Sequence, residues 1–160
     1  MANGQPPPGM HTPADALALF MNLSGQRPLG LTEAPTIRQG CVEALEKAAK
    51  TIEDEAKRVI GTYEYGWEPL KPATIARKVH GDTPLYETGV LQDSIEHHVD
   101  PDNLTAQVGS NDPTAEWQEL GTSRGIPPRS FLMGAAMVKE KEITEQTGVH
   151  IHGLILKQMT

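Results

Sequence analysis

Between Thr36 and Tyr63 the apolar residues Ile37, Cys41, Leu45, Ala48, Ile52, Ala56, Val59 and Tyr63 recur at intervals of 4, 4, 3, 4, 4, 3 and 4 residues. Only a helix sets residues at these spacings along one line, because 3.6 residues complete each of its turns. At 1.5 Å per residue such a helix is roughly 40 Å long, more than a domain of this size needs to cover its own core. Lys47, Lys50, Glu53, Asp54, Lys57 and Arg58 fall off the line and are expected to face water or charges on another subunit. Cys41 lies on it and reads as a buried thiol, not a nucleophile.

The period changes to two after the Leu85–Leu91 stretch, a helical turn punctuated by Gly89. Ile95, His97 and Val99 alternate with Glu96, His98 and Asp100, then Leu104, Ala106 and Val108 alternate with Thr105, Gln107 and Gly109. Pro101, Asp102 and Asn103 supply a turn, so the reading is a β-hairpin. Two strands alone are marginal, and these must pack on the long helix or add to strands of neighbouring copies. Upstream, Gly61 to Pro84 is broken by Gly66, Pro69, Pro72 and Gly81, leaving only Ala73–Val79 as a short helix. Trp67 is the expected anchor of that irregular stretch on the long helix.

From Ala115 to Leu132 the chain closes one helix, turns and launches another. Asp112 caps the first, Pro113 suits its first turn, and Trp117 and Leu120 share a face. Gly121 is placed to end it in the left-handed conformation, and Gly125, Pro127 and Pro128 exclude regular structure through the turn. A second long helix is expected from about Arg129 to Thr147, with Phe131, Leu132, Ala135, Ala136 and Val138 on its apolar face and Gly148 as its break. Arg129 at that helix start opposes the macrodipole, so an acidic partner is expected in Glu119, Glu116 or a neighbouring subunit. Beyond it, Ile151, Leu154, Ile155 and Met159 form an apolar tail, a candidate subunit interface. At the other end, residues 1–12 hold Pro6, Pro7, Pro8 and Gly9 and read as an extended arm, followed by a short helix over Pro13–Leu23 and a loop over Ser24–Thr32.

The order of residues in three blocks resembles the virion-morphogenesis or tail-completion superfamily of tailed phages, whose members join the filled head to the tail. Ala115, Glu119, Gly121, Thr122, Pro127, Arg129, Phe131 and Leu132 match its Glu-x-Gly-Thr and Pro-x-Arg-x-Phe-Leu segments, with Ser130 where the family usually has a second proline. Trp67, Leu70, Thr74 and Lys78 resemble its Trp-x-x-Leu-x-x-x-Thr segment, and Leu85, Thr88, Gly89, Leu91, Ser94 and Ile95 its Leu-x-x-Thr-Gly-x-Leu-x-x-Ser-Ile block. The resemblance spans residues 34 to 140 or so. It implies a neck or tail-completion component of a virion, assembled in the host bacterial cytoplasm as a homo-oligomeric ring, a hexamer, between head connector and tail proteins.

Composition bears on the partners. A formal charge of −7 argues against gripping nucleic-acid phosphates, so DNA is expected to pass a channel without specific binding. One cysteine excludes an internal disulfide, no basic-then-apolar leader opens the chain, and no stretch is long enough for a membrane span. Seven aromatic residues, two Trp, three Tyr and two Phe, leave a core of aliphatic side chains and alanine.

Chemistry-bearing motifs are sparse. His97 and His98 point to opposite faces of a strand, and His150 and His152 have no Cys or carboxylate spacing to complete a ligand set. Phosphate-loop, Gly-x-Ser-x-Gly and zinc-protease patterns are missing from the sequence. Glu116 and Glu119 are spaced as a catalytic pair can be, but read as solvated surface. The expectation is an α+β protein, a small antiparallel sheet packed on two long helices, with an arm (1–12), one joining domain (13–148) and a tail (149–160). No catalytic, cofactor or metal residue is assigned. A small cytoplasmic enzyme using His or Glu, or an adaptor with no virion role, is the competing expectation.

Overall fold

The chain leaves its first long helix at a glycine. A computed structural model describes residues 35–158, and in it α1 runs Pro35–Val59. Lys57 and Arg58 sit in its last turn, where positive charge meets the dipole favourably. Thr62 bonds back to the Val59 carbonyl with both its amide (3.0 Å) and its hydroxyl (2.8 Å), and Gly61 takes φ +86°, so the helix stops four residues short of Tyr63. The rest of the stripe, Ile37, Cys41, Leu45, Ala48, Ile52, Ala56 and Val59, is buried as expected. After it come α2 (Pro72–Ile75), α3 (Val90–Asp93), β1 (Ile95–Asp100), β2 (Thr105–Ser110), α4 (Pro113–Leu120) and α5 (Leu132–Gln158). The protein is α+β, with a two-stranded antiparallel sheet packed against the long helix. The expected arm, the Pro13–Leu23 helix, the loop after it and Met159 lie outside the described residues.

Two compact units divide the chain. The first comprises, among described residues, 35–48, Val99–Ala106 and 140–158. Ile37, Cys41, Ala44 and Ile151 form its core, with Leu104, Leu154 and Ile155 packed against them. The helices meet closely at Gly40, where an added Cβ would stand 1.9 Å from Cδ1 of Leu154. Arg38 fastens the hairpin turn by donating Nη2 to the carbonyls of Pro101 (2.9 Å) and Asp102 (2.6 Å). Leu104 belongs to this turn, with φ +52°, and not to the strand where alternation placed it. Burial raises the pKa of the Cys41 thiol, as fits the buried reading.

Gly148 and Ile151 depart from expectation in this unit. Gly148 does not break α5, which continues to Gln158. A mid-helix glycine costs about 1 kcal/mol relative to alanine. Burial of Ile143 and Ile151 on either side offsets that cost. Ile151, a candidate interface residue in the sequence, is only 3% exposed and completes this unit's own core, and Leu154 and Ile155 lie partly buried beside it.

The second unit comprises Ala49–His98 and Gln107–Lys139. Ile52, Ala56, Val59, Trp67, Leu91, Ile95, Phe131 and Ala135 are buried within it. Trp67 stacks edge-on against Tyr65 at 5.6 Å between ring centroids, and the Tyr65 hydroxyl donates to Glu55 of α1 at 2.9 Å. The anchor works through this pair. Glu53, expected at the surface, is buried, because Lys57 and His97 both hydrogen-bond to its carboxylate. Burial alone would raise its pKa, but the bonds from Lys57 and His97 outweigh that and lower it. Glu55 is held low chiefly by Arg58, which reaches it with Nε (2.9 Å) and Nη2 (2.8 Å). The predicted Ala73–Val79 helix shrinks to the four residues of α2, and the Leu85–Leu91 turn proves to be the lead-in to α3, with Gly89 at φ +87° before its first residue.

Candidate functional site

The turn between α4 and α5 is built from glycine, proline and one carboxylate. Asp112 caps α4 by accepting from the Thr114 amide at 2.8 Å. Gly121 ends it with φ +73° and ψ 179°, a conformation open essentially to glycine alone and different from the left-handed helical one expected. A Cβ there would come within 2.8 Å of the Ile126 carbonyl and 2.9 Å of the Pro128 nitrogen. The Thr122 amide donates to that carbonyl at 2.9 Å, closing the loop.

Glu119 organises the entry to α5. Its carboxylate accepts from the amides of Leu132 and Met133, both at 3.0 Å, and from the Ser130 hydroxyl at 2.5 Å. Unpaired amides at a helix start are satisfied and the negative charge lies at the positive end of the dipole. The solvated-surface reading of Glu119 is therefore corrected, whereas Glu116 is exposed. Ser130 contributes its hydroxyl to this cap. Its pattern was hard to see in sequence because Glu119 sits thirteen residues before Leu132, outside any local capping box.

Arg129 differs from its expectation. It precedes α5 by three residues, donates its amide to the Gln118 carbonyl at 2.6 Å, and is 6% exposed. Nη2 donates to the Glu68 carbonyl at 3.0 Å, while the buried Nε has no hydrogen-bond partner. Glu119, the expected counter-charge, is committed to the helix amides, and among the described residues no carboxylate forms an ion pair with Arg129.

Glu68, Gln118 and Arg129 border a cleft of about 860 Å³ in the second unit. One wall comes from Leu70, Thr74 and Lys78, a second from Leu85, Thr88, Gly89 and Leu91, and the third from Thr122, Pro127 and Arg129. The three separated sequence blocks thus meet at one place. Lys78 holds the second wall by donating Nζ to the Tyr86 carbonyl at 2.5 Å and to Glu87 at 2.7 Å, and that bond keeps the Glu87 carboxyl below its ordinary range. Trp67, Ile95 and Phe131 do not line the cleft; they are buried in the same unit and support its walls. Trp67 was legible as an anchor and Phe131 as part of an apolar helix face, but the backbone carbonyl of Glu68 carried no sequence signal.

Among the described residues no group of three or more His, Cys, Asp or Glu side chains lies close enough to hold a metal ion. His97 turns to Glu53 while His98 is exposed, the opposite-face arrangement expected of adjacent strand residues. No helix among the described residues is long and apolar enough to cross a membrane. Comparison with protein-family models, curated proteins and solved structures found no match to this chain.

Proposed function

We propose that the chain is a structural virion protein of a tailed phage or prophage-derived particle, a neck or tail-completion ring component that joins the DNA-filled head to the tail. The observation that carries this reading is the convergence of the three family-like blocks on one cleft, with Glu119 and Gly121 shaping the turn that holds Arg129 in its wall. Residues scattered from Leu70 to Arg129 gain a common purpose if that cleft and turn form an assembly surface. Exposed apolar side chains in the same unit, Trp117 (50%), Leu120 (71%), Met133 (55%) and Met137 (68%), support the reading because such groups are normally covered in an assembled state. Net charge supports it as well: with −7 per copy, a ring lumen repels phosphates and DNA slides without being gripped.

Electron microscopy of lysates lacking this one product tests the proposal, with infectivity scored alongside. The expected outcome is DNA-filled heads and separate tails that fail to join, or tails misbuilt at the head-proximal end. Normal infectious particles would overturn it.

A further inference from the structure

Within the first unit α5 has two faces. Ile143 and Ile151 turn inward, while Lys141, Glu145, Gly148, Val149, His152 and Leu156 are all exposed. At 3.6 residues per turn these six fall within one arc of about 100° on the outward side. Gly148 is the member of this arc that the chain itself does not need. Its backbone is helical, without the positive φ that calls for glycine, and a Cβ built on it would meet nothing. Alanine would fit there and hold the helix better. What the glycine leaves is a gap in the outward face, and beside the gap Val149 stands 76% exposed. On either side the charges are placed symmetrically and with opposite sign: Glu145 comes three residues before Gly148, and His152 three after Val149. Lys141, Glu145, Gly148 and His152 follow one another at intervals of 4, 3 and 4, the repeat along which two helices stay in register.

We propose that this face of α5, centred between Gly148 and Val149, is an interaction surface for a second copy of this chain, the two helices lying antiparallel about a two-fold axis. The order of residues singles out that occupant, because the face is complementary to itself in one orientation. Turned about the two-fold, Val149 of each copy enters the Gly148 gap of the other, and Glu145 meets His152 at both ends of the contact. Lys141, which already lies 3.8 Å from Glu145 of its own helix, lays its aliphatic stem along Leu156, itself 52% exposed. A parallel copy would set Glu145 against Glu145 and leave the gap empty. The contact does not rest on the ring reading: having no polarity, it lies outside any head-to-tail ring contact and pairs single chains or whole rings alike.

Sedimentation equilibrium of the full chain over a concentration series provides the test, with thermal unfolding of the dilute protein alongside. The wild type is expected to double in mass as concentration rises, starting from whichever species it forms when dilute, single chain or ring. Gly148→Ala separates the two roles of that position: the thermal midpoint of the dilute chain rises, as helix propensity demands, while the doubling weakens by about tenfold. Val149→Asp abolishes the doubling and leaves the midpoint in place. E145K and H152E each weaken it, and the E145K/H152E double variant, which exchanges the charges across the axis, restores it. All of these positions are exposed, so the fold is kept and the association is what is read. A wild type that never doubles, a doubling unchanged by G148A and V149D, or a charge exchange that fails to restore it overturns the proposal. A wild type that passes from one chain to two and forms nothing larger removes the ring reading and leaves this contact standing.

Discussion

In the unit formed by 35–48, Val99–Ala106 and 140–158, two helices meet through Ile37, Cys41, Ala44 and Ile151, and the closest approach is Gly40 against Leu154. In the unit formed by Ala49–His98 and Gln107–Lys139, an apolar core is joined by polar groups reaching across sequence: Glu119 to the start of α5, Arg129 to Glu68, Lys78 to Tyr86 and Tyr65 to Glu55. The first kind of unit tolerates substitution of one aliphatic residue for another if volume is kept. The second depends on particular donors and acceptors at particular distances, since a buried polar group that loses its partner costs more than the bond was worth. A surface meant to recognise another molecule is better built on the second plan, because its geometry is fixed by directional bonds.

The sharpest way to break this contrast is at Gly121. Gly121→Val combines a backbone conformation closed to β-branched residues with a clash against the Ile126 carbonyl, and is expected to cost about 4 kcal/mol or more. Loss of the folded baseline in thermal unfolding checks it; a variant within 1 kcal/mol or so of wild type would mean the loop relaxes freely. Ile151→Ala should cost about 3 kcal/mol, measured by denaturant unfolding with unchanged slope. In the polar unit, Glu119→Gln keeps the size but loses the charge facing the amides of Leu132 and Met133, for a loss of about 1.5 kcal/mol. Hydrogen exchange at those amides should rise with it, while amides near Ile151 stay protected.

The smallest effect is that of pH. Glu53 and Glu55 have folded pKa values below the ordinary 4.5, so the unfolded chain binds their protons more readily. Their contribution to stability is full above pH 4.5 and is lost as pH falls through the lowered folded values. Thermal midpoints measured on the acid side should drop accordingly, and Glu55→Gln should flatten the drop. An unchanged slope in that variant would separate Glu55 from the acid response.

The same contrast explains what the sequence made legible. Residues that act by burial in regular elements repeat with a period, so Ile37 to Val59 and the β1 alternation could be read directly, while Trp67 stood out by its size in an irregular stretch. Local rules also worked where the partner is near, as with Asp112 and Thr114. Glu119 and Arg129 could be picked out as motif residues, but their partners lie 13 and 61 residues away, and no spacing rule spans such gaps. Gly148 misled for the complementary reason: local helix propensity is weak against the burial of Ile143 and Ile151. Glu53 misled because a carboxylate off an apolar stripe normally faces water, and only the hairpin brings His97 to it.

Native mass spectrometry of the full chain, alone at high concentration and then with the other proteins of its particle, most directly tests the claim that this fold works by assembling. The account predicts one closed ring of fixed stoichiometry, a hexamer, that dissociates without passing through open chains of every length. A monomer under both conditions would contradict it.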